Sequence, residues 1–354
     1  MSTASCPLAR TPDASLRPRA LSLAIARSGA EPWWWAHVDH GMLDVDLTYA
    51  LVVDAEGRPR AMWSRRFWRM SMSVLSAFRQ SRRNGTTYIM TGECDWTSFI
   101  IAGVQTLFGL RRPRHAILQF IMRERTSSVA SRAKYAFMRW CFRSVNVCVC
   151  SARRECDYYV AAFGWPASKV AYVPFHTDPR FLDIPTDEGA YAVAAGRSFR
   201  DYDTLLDAWA GLDVPISVVG YKGSRQPPRH VTLTRELPLL ELTRLIAGSG
   251  IVVLPLEDRQ ISIGQSVLLQ AMAMGKAVVA TRVNGTIDYI EHMKTGLLVP
   301  PRDPAALRDA VRLLTGDSVL RRRLAAAALE QVKRAHLVSH YMQGVSHVLT
   351  GGAR

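Results

Sequence analysis

The feature that most constrains this chain is a rhythm. From about residue 86, short apolar runs alternate with helix-patterned segments. TTYIMT precedes SFIIAGVQTLFGL, HAILQFIM precedes VASRAKYAFMRWCF, VNVCVCS precedes ARRECDYYVAAFG, and KVAYVPF closes the series. The rhythm restarts at YAVAAGR and runs through DYDTLLDAWAGL, PISVVGY, HVTLTR, LLELTRLIAGSG and IVVLPL to GQSVLLQAMAMGKAVVAT and LLVPP. Strand–helix alternation of this kind implies a parallel sheet wrapped by helices, so two rounds imply two α/β domains. The break falls in PFHTDPRFLDIPTDEGA, which is rich in Pro and Asp and has no apolar period.

The expected organisation is a disordered leader over residues 1–18, an N-terminal domain over 19–173 and a linker over 174–190. A C-terminal domain over 191–335 follows, and 336–354 is expected as a helix or tail able to pack back on the N-terminal domain. A chain of 354 residues is comfortable for two domains. No apolar run approaches the roughly 20 residues of a membrane-spanning helix. ALSLAIA, behind its approach of Pro and Arg, fits a first buried strand better than a secretory signal, which makes a cytoplasmic protein the expectation. Cys148 and Cys150 alternate in VNVCVCS and so share one sheet face; with Cys156 a metal site is conceivable, but buried thiols are the simpler reading.

The formal net charge of +15 is lopsided. Residues 1–178 carry 24 Lys and Arg against 13 Asp and Glu, whereas the remainder carries 21 against 17. The front half therefore suits an anionic partner: a membrane surface, a phosphorylated lipid or nucleic acid. Within it, MWSRRFWRMSMSVLSAFRQSRR (62–83) has six arginines and no acid. As a helix it aligns Trp63, Phe67, Met70, Val74 and Phe78 in one stripe. That pattern fits an interfacial helix on the anionic inner face of the plasma membrane, and equally a helix covering its own sheet with arginines in water.

Ligands of paired open α/β domains bind beyond the carboxyl ends of the strands, so chemistry is sought in the loops there. In AAGRSFRDYDTLLDAW a strand ends at Gly196, and Arg197 and Arg200 precede a helix. Two guanidiniums beside a helix N-terminus suit a diphosphate, although exposed loop arginines look the same. Gly264, Gln265 and Ser266 open a second apolar helix whose free N–H groups form an anion site, and Gln270 lies one turn beyond Ser266. The plain alternative is a core helix with a polar edge.

GRSFRDYDTLL, IVVLPL, GQSVLLQAMAMGKAVVAT, NGTIDYI and TGLLVPPRDPAALRDAV together resemble the C-terminal domain of retaining glycosyltransferases of family 4, the glycosyl transferases group 1. VCVCSARRECDYYVAAFGWPASKVAYVPFHTD resembles the end of that family's N-terminal domain. The resemblance covers roughly residues 145–315 and implies the GT-B architecture, two facing Rossmann-like domains with parallel sheets. It implies a hexosyltransferase-type transfer from a UDP- or GDP-sugar to a glycan or lipid-linked acceptor, in polysaccharide or glycoconjugate biosynthesis, with no cofactor and no metal. The family's Glu-x7-Glu pair, which holds the donor sugar and ribose, falls on Ser262 and Gln270. Gln270 keeps an acceptor oxygen for the ribose, whereas Ser262 is short. The loop between Pro255 and Gly264 is longer than the family pattern, so Glu257 or Asp258 could supply the carboxylate. The family's phosphate-binding cations map to Arg197 and Arg200. Retention in that family is thought to need no protein nucleophile, with a phosphate oxygen taking the acceptor's proton, so no catalytic residue is nominated.

The first N-domain loop, with Gly29, Trp33, Trp34, Trp35, His37, Asp39 and His40, lines the acceptor side in this architecture; the alternative is a loop packing on its own domain. The family's N-domain histidine has no counterpart in QFIMRERTS, where Arg123, Glu124 and Arg125 stand instead. Asp44-x-Asp46 and Asp201-x-Asp203 imitate metal-binding pairs, but one precedes its strand and the other begins a helix. The rival readings are a non-catalytic nucleotide-sugar binder, a nucleotide-sugar epimerase and a nucleic-acid-binding protein; charge alone suggests the last.

Overall fold

The computed structural model describes residues 17–26, 34–53 and 65–351. Two sheets of six strands each carry the architecture. The first contains β1 (Arg19–Ala26), β2 (Asp46–Val53), β3 (Tyr88–Glu93), β4 (Arg114–Gln119), β5 (Val145–Cys150) and β6 (Val170–Tyr172), in the order β2-β1-β3-β4-β5-β6. The second contains β7 (Ala192–Ala195), β8 (Ile216–Val219), β9 (Val231–Thr234), β10 (Ile251–Leu254), β11 (Ala277–Thr281) and β12 (Leu297–Val299), in the order β12-β11-β10-β7-β8-β9. All their pairings are parallel. Each apolar run read as a strand is one.

The helices of the first lobe are α1 (Arg65–Arg83), α2 (Trp96–Leu107), α3 (Val129–Cys141) and α4 (Arg153–Phe163). Those of the second are α5 (Tyr202–Trp209), α6 (Leu239–Ala247), α7 (Gln265–Ala273), α8 (Asn284–Ile287), α9 (Pro304–Gly316) and α10 (Ser318–Ala335), with α11 (Val338–Thr350) last. Every residue of β7, β10 and β11 is buried, as helices on both sheet faces require, which is why these strands read as continuous apolar runs without alternation. Strand order reverses between β1 and β3 in one lobe and between β7 and β10 in the other, and there a crevice opens at the strand ends.

In α1 the stripe serves the core. Met70, Val74 and Phe78 are buried with Leu23, Ile89 and Ile101, and Phe67 is half-buried; Trp63 lies outside the described residues. The helix therefore covers its sheet with its apolar face. The thiols of Cys148 and Cys150 are likewise core, in one cluster with Phe120 and Tyr159, and burial pushes both well above the ordinary thiol range.

After α10 the chain returns to the first lobe. Val338, Tyr341, Met342 and Val345 of α11 pack against Met90, Ala116 and Val149 of the first sheet. The Tyr341 hydroxyl donates to the carbonyl of Leu118, and the amide of Asp44 donates to Ser346 Oγ at 2.6 Å. The lobes also share apolar packing: one cluster runs from Phe120, Tyr159 and Trp165 to Leu254, Leu269 and Met272.

Where they meet, Gly285 of α8 lies under the irregular stretch before α7, and a Cβ on it would fall on the carbonyl oxygen of Ile263 and 2.7 Å from its nitrogen. Neither atom can yield without moving backbone. Gly285→Ala is expected to cost about 2–3 kcal/mol and to lower the thermal midpoint by several degrees; an unchanged melting curve would refute this packing.

Candidate functional site

The second lobe's crevice is built by backbone. Gly196 (φ +133°) follows the end of β7, and the loop Arg197–Arg200 is stitched to the loop after β10. Asp201 N–H donates to Pro255 O at 3.0 Å, Glu257 N–H to Phe199 O at 3.1 Å, and Arg200 bridges Leu256. Leu256 in turn touches the start of α7: a Cβ on Gly264 (φ +88°) would lie 2.8 Å from Leu256 Cδ1. The arginine loop and the α7 N-terminus, read separately from sequence, are thus joined through one leucine.

Beside the arginine loop opens a cavity of about 700 Å³, and the predicted Ser262, Gly264, Gln265, Ser266 and Gln270 are not among the residues that line it. Arg197, Arg200, Glu257 and Asp258 line it, as expected, together with Lys222, Arg259 and Arg302, which sequence reasoning missed. The signal for Lys222 was available, since it follows β8 in the loop Gly220–Gly223. Arg259 sits in the over-long loop, where composition alone does not choose among neighbours.

The two anticipated arginines differ in character. Arg197 is exposed and pairs with Glu236 at 2.6 Å, a contact that water screens and a stronger anion can displace. The guanidinium of Arg200 folds back into its own loop, donating from Nε to Ala195 O at 3.0 Å and from Nη1 to Ser198 O at 2.9 Å. It occupies the space a side chain at residue 196 would need, so Gly196 is required there. Burial pulls the Arg200 pKa below its ordinary value, although an arginine stays charged. Arg200 is thus a structural brace as well as a cavity wall.

On α7, Gln270 Nε2 lies 3.4 Å from Ser266 Oγ, as the one-turn spacing requires. Gln265 is buried, and its Nε2 has no acceptor. Ser262 departs from expectation. It is only 2% exposed and is sealed between the lobes, with Ser151 Oγ 3.0 Å from its hydroxyl and its N–H donating to Glu155 Oε1 at 3.1 Å. A serine here is short because a carboxyl from the opposite lobe already fills the space beside it. Glu257 reaches the cavity wall, yet Arg259 holds it through Nε at 2.8 Å.

Arg259 also spans the cleft. Its Nη1 lies 3.2 Å from Glu124 Oε2, its guanidinium stacks 4.9 Å from the Phe199 ring, and the neighbouring Gln260 N–H donates to Glu124. Two departures from the family pattern, Glu124 and the lengthened loop, therefore meet in space. The residues expected on the acceptor side have structural partners. Trp34 and Trp35 pack on the first lobe's core, and the Trp35 ring meets His40 at a tilt (4.1 Å) and Tyr49 edge-on (4.8 Å). Asp39 caps the following turn by accepting from Gly41 N–H at 3.0 Å, and His37 lies within electrostatic reach of Asp178. Gly29 and Trp33 lie outside the described residues. Asp201 caps α5 by accepting from Thr204 N–H at 3.1 Å, and Asp44 sits beside His347 at 3.7 Å.

Residues 193–317 match the family of glycosyl transferases group 1. The chain is 32% identical over 133 residues to the D-rhamnosyltransferase WbpZ of Pseudomonas aeruginosa, which covers 34% of each protein. It is 36% identical over 93 residues to a D-inositol 3-phosphate glycosyltransferase of Nocardioides, 26% of this chain and 20% of that protein. The chain thus spans about a third or less of these curated relatives. Over the whole fold it is similar to sucrose-phosphate synthase from Thermosynechococcus elongatus (TM-score 0.64, 15% identity, 94% of this chain and 98% of that one). It is similar also to Anabaena HepE in complex with UDP-glucose (TM-score 0.63, 12% identity, 94% and 99%). The fold is GT-B: two facing Rossmann-like domains.

The seam carries a titratable group. Glu155 is fully buried; desolvation pushes its carboxyl up to about 7, against the opposing hydrogen bonds from Ser262 and from the backbone of residues 151 and 152. Its Oε2 has no partner. A carboxyl whose folded pKa exceeds its unfolded value stabilises least when ionised, so stability falls as pH rises from about 4.5 to about 7. Glu155→Gln is expected to raise stability above pH 8 by roughly 3 kcal/mol at most and to leave it unchanged near pH 4. Denaturant titrations at the two pH values check this; equal differences at both would refute it.

Proposed function

We propose that this chain is a retaining, metal-independent glycosyltransferase that moves a sugar from a nucleoside-diphosphate sugar to a glycan or lipid-linked acceptor. The observation that carries this reading is the convergence of Arg197 and Arg200 with Glu257, Asp258 and Arg259 of the loop after β10 on one cavity. The matched family region, 193–317, contains these elements, which supports the donor half of the assignment. The names of the relatives, a rhamnosyltransferase and an inositol-phosphate glycosyltransferase, support transfer of a sugar without choosing which one.

In this reading the donor's diphosphate displaces Glu236 from Arg197, exchanging an exposed ion pair for a forked phosphate contact. The α7 N-terminus adds its N–H groups and dipole, and the unpartnered Gln265 Nε2 supplies one more donor. Gln270 takes the ribose hydroxyls. Fixed cations and amides neutralise the departing diphosphate, and a phosphate oxygen accepts the acceptor hydroxyl's proton. The sugar is met by Asp258 or by Glu257, once Arg259 releases it.

Because a ligand that binds only the folded state raises its stability, thermal shift across a nucleoside-diphosphate panel tests the reading. UDP, the nucleotide of the HepE complexes, and GDP come first. A shift of several degrees with one of them is expected, surviving EDTA. Arg197→Ala is expected to abolish it, and Gln270→Glu to preserve or increase it. Loss of binding in Gln270→Glu would show that the glutamate register is misassigned, and no shift with any nucleotide would overturn the proposal.

A further inference from the structure

The first lobe presents a surface that neither the donor cavity nor the core uses. α1 packs beside α2 and α2 beside α3, forming one helical layer over the sheet. Those three helices contain no Asp or Glu. The stripe of α1 that points inward is spent on the core, so what the layer shows to its surroundings is a different set of side chains.

That outer set is apolar and basic at once. At the start of the layer Trp68 is 56% exposed, and the Phe67 ring lies 6.1 Å from Trp68 and 5.2 Å from Trp96. At the far end Phe108 is 69% exposed, Phe137 59% and Trp140 44%, with Leu107 beside them. Thr106 Oγ1 donates to Cys141 O at 2.9 Å and so holds the end of α2 against the end of α3; the Phe137 and Trp140 rings lie 6.0 Å apart. Arg79, Arg82 and Arg83 of α1, Arg111 and Arg112 after α2 and Arg139 of α3 are exposed.

We propose that the outer face of α1, α2 and α3 docks on an anionic lipid bilayer, with Trp68, Leu107, Phe108 and Trp140 entering the interfacial region. The argument is complementarity of two kinds. An acid-free basic layer is drawn to anionic head groups, and each basic residue near such a surface contributes roughly a fivefold factor to partitioning. Exposed aromatic and aliphatic side chains gain by leaving water for the head-group boundary, where tryptophan is favoured. A phosphate backbone would use the arginines but would leave Leu107 and Met72 in water. Among the described residues no helix is long and apolar enough to cross a membrane, so the contact is one of surface docking. The docking face lies on the first lobe, away from the donor cavity, so it does not depend on the donor assignment.

Co-sedimentation of the full chain with phosphatidylcholine vesicles, with and without phosphatidylglycerol, is the test. Binding roughly tenfold or more stronger to the anionic vesicles is expected, weakening with salt. Phe108→Ser with Trp140→Ser is expected to reduce it about tenfold while the melting temperature and any nucleotide-induced shift stay unchanged. If that pair lowers the melting temperature, Arg82→Glu with Arg83→Glu carries the test, with a reduction of at least about tenfold expected. Full vesicle binding by a well-folded variant overturns the proposal. So does binding to poly(U) RNA that is tighter than to anionic vesicles and indifferent to Phe108 and Trp140.

Discussion

The geometry of the donor lobe depends on one contact made across the molecule: the Ser262 amide donating to a carboxyl buried in the other lobe. The loop before α7 has no regular secondary structure, so its course is set by its contacts. Glu155 pins it from one side, Gly285 allows α8 to lie against it from the other, and Tyr289 donates to the carbonyl of Ser151 alongside. The amide of Arg153, at the start of α4, donates to Asp288 at 2.8 Å, setting a carboxylate where a helix dipole favours one. With the loop held, Gly264 and the first turn of α7 have a fixed direction, and Leu256 joins them to the arginine loop. A buried carboxyl is an unfavourable group to place there, and its raised pKa is the physical sign of that cost.

Three of the cavity's cations have partners within the protein. Arg197 has Glu236, Arg259 has Glu257 and Glu124, and Arg200 has two backbone carbonyls. Such pairs keep cations in place at low net field, and they differ in how readily they yield. The exposed Arg197 pair is the easiest to replace, and the Arg200 bonds are the hardest because they close the loop itself. Arg259 stands between these extremes, since it holds Glu257 on its own loop and Glu124 on the opposite lobe at once.

Helix α1 shows how one segment can satisfy two surroundings. Met70, Val74 and Phe78 recur at helical spacing and bury themselves, while Trp68 and Met72, on the opposite side, stay exposed among arginines. The inner stripe was legible because its period is that of a helix face. The outer aromatics were not, because a single exposed tryptophan has no period. Their meaning came from α2 and α3, which bring Phe108, Phe137 and Trp140 onto the same layer.

Much of this protein was readable before its structure. Strands β7, β10 and β11 were runs of mostly Val, Ile and Ala with both faces buried. Arg197 and Gly264 could be placed from the sequence because one follows a strand end and the other stands at a helix start, positions set by local sequence, and Gln270 because it lies one helical turn beyond Ser266. What the sequence by itself determined is therefore the two α/β lobes and the loops that bear the site, since both follow from periodicities within a few residues. Only the tertiary structure decided the rest: that Ser262 is sealed against Glu155, 107 residues away; that Glu124 reaches Arg259; and that Arg200 braces its own loop. Those outcomes turn on which distant side chain fills a given few ångströms, and packing between lobes settles that where local pattern has no influence.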